Sequence, residues 1–112
     1  MIEIRAVTDH DGILRSCRAE GHAGAGKQGY DIVCAAVSVL LRTAVSVLSG
    51  REGITIRANA PEPGFLWLEA DYSKEGREFL SSTGEFLMAG LRSLAEEFPD
   101  NCRVTVVMEQ RR

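Results

Sequence analysis

The sequence predicts an α+β fold, a two-layer domain in the order ββαββαβ, with a mixed or antiparallel sheet carrying two main helices on its covered face. Three observations predict it. Short segments near both ends and in the middle alternate apolar with polar residues, one long run is almost wholly apolar, and a second repeats its apolar residues every three or four positions. The chain has 112 residues, 45% hydrophobic and 26% charged, the balance of one globular domain over 1–112. At this size a core can form without disulfides or metal, although pairing with a second copy would add to it.

Residues 2–8 read as the first strand, with Ile2, Ile4 and Ala6 on one face and Glu3 and Arg5 on the other. Asp11-Gly12 is a hairpin signal, and Ile13 to Glu20 returns as the second strand with Cys17 at its middle. The segment GHAGAGKQGYD has glycines at 21, 24, 26 and 29 and little that can enter a core, so a mobile surface loop is expected there. Asp31 is then a good N-cap, and IVCAAVSVLLRTAVSVLSG reads as a helix ending at Gly50. Arg42 is its only charge between Ile32 and Ser49, so the helix should be covered on more than one side. Ser38, Arg42, Thr43 and Ser46 interrupt the run, which favours a buried core helix over a membrane span.

Ile54 to Ala58 and Phe65 to Ala70 read as neighbouring strands joined by NAPEPG, where two prolines and a glycine favour a turn. A second helix is expected from about Lys74 to Phe98, weakened or broken by Gly76, Gly84 and Gly90. Pro99 ends it, and Arg103 to Met108 closes the chain as a strand with Val104, Val106 and Met108 on one face.

A formal charge of −3 and a pI near 5.4 leave no global positive field for a nucleic-acid backbone, so no direct nucleic-acid partner is expected. The N-terminus lacks the basic flank and apolar run of a signal peptide, which points to the cytoplasm and away from a membrane. Cysteines 17, 34 and 102 are odd in number, widely spaced and without a C-x-x-C pair, so free thiols are expected. A metal site from His10, Cys17, His22 and Cys34 has none of the usual zinc spacings, and no metal or cofactor is expected.

A thiol becomes a strong nucleophile near a helix N-terminus or an imidazole, and Cys34 is placed for both. With Asp31 as cap it would be the third helical residue, where free N–H groups favour a thiolate and could also hold an oxyanion. His22 lies twelve residues earlier across the glycine segment, long enough to fold back and serve as base. Cys17 and Cys102 sit in expected strands without a neighbouring base and read as packing residues.

GHA at 21–23 followed by GYDIVCAAVS at 29–38 resembles the signature of the bacterial ribosomal-processing cysteine protease family, Prp. The resemblance implies a catalytic dyad of His22 and Cys34, a homodimer, and a flexible substrate loop carrying Gly21, Gly24, Gly26 and Gly29. It also implies the substrate, the short N-terminal extension of large-subunit ribosomal protein L twenty-seven. Asp31 and Ser38 belong to the same motif. Asp31 would orient His22 or only cap the helix, and as a carboxylate it would also raise a neighbouring thiol's pKa. Ser38, one turn beyond Cys34, would touch substrate or bond back to the chain. Two rivals use the same residues differently: a non-catalytic ribosome-associated adaptor that binds an extended peptide, and a redox-sensing thiol protein.

Overall fold

The computed structural model describes residues 1–21 and 28–110, and the side chains of all of these except 28–31. The elements are β1 (Ile2–Thr8), β2 (Leu14–Glu20), α1 (Gln28–Leu48), β3 (Ile54–Glu62), β4 (Phe65–Tyr72), α2 (Arg77–Glu97) and β5 (Cys102–Met108). The expected order ββαββαβ is the observed one.

The strands form one mixed sheet in the order β3-β4-β2-β1-β5. β1 runs antiparallel to β2 and parallel to β5, while β4 pairs antiparallel with both β2 and β3. The two-residue side-chain period sends Ile2, Ile4, Ala6, Cys17, Ala19 and Leu68 to one face. There they meet Val33, Val37, Leu41 and Ala44 of α1 and Leu87, Met88 and Leu91 of α2 in one apolar cluster. Both helices therefore lie on a single face. The other carries Glu3, Arg5, Arg18, Arg57 and Glu69, with Arg57 ion-paired to Glu69 at 3.0 Å.

Two expectations are corrected. β3 continues through Pro61 to Glu62, and the turn shrinks to Pro63-Gly64, because β3 is an edge strand where a missing N–H is tolerated; its register slips between Asn59 and Glu62. α2 starts at Arg77 and runs unbroken through Gly84 and Gly90. A Cβ at Gly84 would meet Leu14 Cβ at 3.1 Å, and one at Gly90 would meet Leu40 Cδ2 at 3.1 Å, so these glycines admit close packing. In β5, Cys102 is buried, while Val106 and Met108 are exposed on this edge strand. As expected, α1 is covered on more than one side, by the sheet and by α2, with Ile32, Val39 and Val47 left exposed on a further side.

At the end of the sheet marked by the β1–β2 turn, the buried carboxylate of Asp9 accepts the N–H of Asp11 at 2.9 Å, that of Ile13 at 3.0 Å, and the hydroxyl of Tyr72. These bonds fix the turn and tie it to β4. The opposite end, where β2 finishes and the β3–β4 hairpin turns, holds a groove.

Candidate active site

That groove, about 330 Å³, lies between α1 and the ends of β2 and the β3–β4 hairpin. Val37, Phe65 and Leu66 give it an apolar lining, while Arg42, Glu20 and Glu62 are its charged residues. Cys34 and Ser38 both line it, because residues four apart on a helix share a face. Gly21 lines it from the end of β2.

The three thiols differ sharply in environment. Cys17 is 0% exposed at the middle of β2, and burial pushes its thiol up to about 12. Cys102 is 2% exposed, and burial raises its thiol too. Cys34 is half-buried, on the groove wall. A thiol must reach its target carbonyl and lose a proton to attack it, so Cys34 alone of the three is placed for acyl chemistry.

The other motif residues fall differently. His22, Gly24 and Gly26 lie outside the described residues. Gly29 and Asp31 fall within α1, which begins at Gln28, one turn earlier than the capping pattern indicates. A glycine costs a helix roughly 1 kcal/mol without terminating it, so neither Gly29 nor the cap-type Asp31 sets the boundary. Cys34 is thus the seventh helical residue, not the third. The N–H groups left without intrahelical partners belong to positions 28–31, and the helix-terminus argument for a thiolate and oxyanion hole no longer applies at Cys34 itself.

Two contributors escaped the sequence reading. The hairpin tip reaches the groove through Pro63, Gly64 and Phe65, a pairing of segments over forty residues apart that no local pattern signals. Arg42 did carry a signal, being the only charged residue between Ile32 and Ser49, two turns beyond Cys34. Among the described residues no group of three or more His, Cys, Asp and Glu could hold a metal ion, and no helix is long and apolar enough to cross a membrane.

Comparison with known proteins agrees with this geometry. The family described as Cysteine protease Prp matches residues 1–103. The Ribosomal processing cysteine protease Prp of Bacillus subtilis (strain 168) is 29% identical over 110 residues, covering 94% of this chain and 96% of the relative. That of Staphylococcus aureus (strain Mu50) is 26% identical over 106 residues, covering 93% and 97%. Among solved structures, a Streptococcus mutans protein superposes with a TM-score of 0.81 at 28% identity, over 97% of this chain and 96% of that one. The S. aureus protease Prp in complex with a substrate peptide superposes at 0.80 with 21% identity, over 95% and 99%, a likeness of fold. With the family matched over nearly the whole chain and an accessible thiol in a groove, this chain belongs to the ribosomal-processing cysteine protease family Prp and is a cysteine protease.

Proposed function

We propose that this protease removes the short N-terminal extension of large-subunit ribosomal protein L twenty-seven, with Cys34 as nucleophile and His22 as base. The observation that carries the assignment is the position of Cys34: it is half-buried on a groove that Gly21, the residue joined to His22, also lines, while the other two thiols are buried. An extended peptide fits such an open groove, its apolar side chains against Val37, Phe65 and Leu66.

In the proposed reaction His22 takes the thiol proton as the Cys34 sulfur bonds to the scissile carbonyl carbon. Collapse of the tetrahedral intermediate breaks the C–N bond, and the imidazolium gives its proton to the leaving amine. Water, deprotonated by His22, then attacks the thioester. The new carboxyl leaves, the thiol is restored, and no cofactor is consumed. Ser38 faces the bound peptide from one turn beyond Cys34, and Asp31 orients His22. Gly24 and Gly26, between the catalytic pair in sequence, let a substrate backbone approach closely.

The proposal places the enzyme in the cytoplasm, where ribosomal proteins are made, and as a homodimer. Ile32, Val39 and Val47 on α1, 58%, 60% and 41% exposed, support the dimer. They lie at near-helical spacing, Val47 lines a shallow apolar groove together with Phe86 of α2, itself 76% exposed, and a second copy of this helical face would cover them.

The test is intact-mass analysis of a peptide spanning the ribosomal protein's N-terminal extension, incubated with wild type, Cys34→Ser and His22→Ala. A single cut by the wild type, absent from both folded variants, is expected. No cut near neutral pH would remove this substrate, and a cut surviving in Cys34→Ser would remove the nucleophile.

A further inference from the structure

The contact between the end of β2 and the β3–β4 hairpin tip has a feature that ordinary strand pairing does not require. The last rung of the β2–β4 ladder pairs Glu20 with Phe65. One residue further on, the Gly21 N–H donates to the Gly64 carbonyl at 3.0 Å, so β2 bonds to the turn itself. The approach is backbone to backbone. A Cβ at Gly64 would lie 2.3 Å from the Gly21 carbonyl oxygen. On its other side, a Cβ at Gly21 would lie 2.9 Å from both Ile2 Cα and the Met1 carbonyl oxygen. Gly21 is therefore held between the start of β1 and the hairpin tip, with backbone atoms nearest on both flanks and Ile2 Cγ1 next at 3.0 Å.

The tip needs such an anchor. Pro63 followed by Gly64 at φ +83° has the sequence and sign of a type II turn, whose twist suits a hairpin less well than the primed turns. The ladder beside it is already irregular between Asn59 and Glu62. Left to itself, this end of the hairpin would be the least constrained wall of the groove. Held to Gly21, it stands at a set place relative to α1 and Cys34.

We infer that the backbone pin between Gly21 and Gly64 is a positioning element of the protease: it fixes the end of β2, from which the chain passes directly to His22, against the hairpin tip that lines the groove with Cys34. In so far as it orients His22, the inference rests on the proposed dyad. Neither glycine takes part in the chemistry. Their contribution is to set where the base begins and where the substrate's wall stands, and displacements near 1 Å in such frameworks cost on the order of a hundredfold in rate.

Glycines elsewhere in the chain supply a matched control. Gly50 has φ +77° and Gly64 φ +83°, so alanine suffers similar backbone strain at either place, but a Cβ at Gly50 meets nothing within 4 Å. Gly64→Ala, Gly50→Ala and His22→Ala are compared by kcat/KM on the substrate peptide and by the pH dependence of Cys34 alkylation with iodoacetamide. For folded Gly64→Ala we expect kcat/KM to fall by about a hundredfold, with the alkylation profile displaced toward that of His22→Ala. Gly50→Ala should match the wild type in both. A folded Gly64→Ala indistinguishable from Gly50→Ala overturns the inference.

Should Gly64→Ala not fold, amide hydrogen exchange on the wild type decides: protection of the Gly21 N–H comparable to that of β2 supports the pin, and exchange as fast as an open loop overturns it. The dyad fails separately, if His22→Ala keeps wild-type turnover and profile. Gly64→Ala is then judged on kcat/KM alone, where a loss relative to Gly50→Ala upholds the pin and no loss rejects it.

Discussion

A brief pulse of iodoacetamide on the folded protein should modify Cys34 and leave the other two thiols untouched. Cys17 faces the core from the middle of β2, paired with Ala6 on one side and Leu68 on the other. Burial raises its thiol from an ordinary 9.0 to about 12, which lowers its thiolate fraction near neutral pH by about a thousandfold. Zero exposure adds the requirement that the structure open before reagent can enter. Cys102 shares both handicaps, with 2% exposure and a raised thiol. Intact mass and peptide mapping at pH 7.5 should give a single adduct on wild type, none on folded Cys34→Ser, and three on wild type in denaturing urea, one for each cysteine. Loss of peptide cleavage should follow the same time course as the single adduct. Labelling of Cys17 or Cys102 in the folded protein as fast as Cys34 would refute the reasoning. The same burial has an alkaline consequence. Because the folded-state value is raised, this contribution to stability is complete below pH 9 and is lost as pH rises toward 12; the rise corresponds to about 4 kcal/mol. Urea unfolding across that range should therefore fall less steeply in Cys17→Ala than in the wild type.

Two further outcomes follow from the packing. Burial opposes ionisation of Asp9, but the Tyr72 hydroxyl, the Ile13 and Asp11 N–H groups and the nearby Arg15 outweigh it and hold the carboxyl below its ordinary 3.8. A lowered value stabilises the fold above that pH and is lost as pH falls through the folded-state value. Asp9→Asn should thus cost about 2 kcal/mol at pH 7 and less at pH 3 by urea denaturation, and an equal cost at both would contradict the assignment. Phe86→Asp on the exposed helical face should convert the proposed dimer to a monomer in light scattering with little change in cleavage chemistry; an unaltered mass would reject that face as the interface.

Elements with a strong local signal were legible from the chain alone. The alternation of Ile2, Ile4 and Ala6 places the first strand with its observed bounds, and the three-to-four spacing of Leu87, Leu91 and Leu94 places α2 within a few residues. The errors sit where local preference competes with a neighbour. Pro61 reads as a stop but is harmless on an edge strand, and Asp31 reads as a cap but lies inside α1. Gly84 and Gly90 read as weak points in a helix, yet they lie in an unbroken helix where a Cβ would come within 3.1 Å of Leu14 and Leu40.

By itself, the sequence determined the order of elements, the face β1 turns to the core, and a motif joining Cys34, Ser38 and the glycine before His22. All of these depend on residue type and short-range spacing. Only the tertiary structure decided which thiol stays accessible, because burial depends on what packs against Cys17 and Cys102 from other elements. It alone brought Gly64 to within a hydrogen bond of Gly21 and set the hairpin tip along the groove, since contacts between segments over forty residues apart follow from sheet order, which no periodicity encodes.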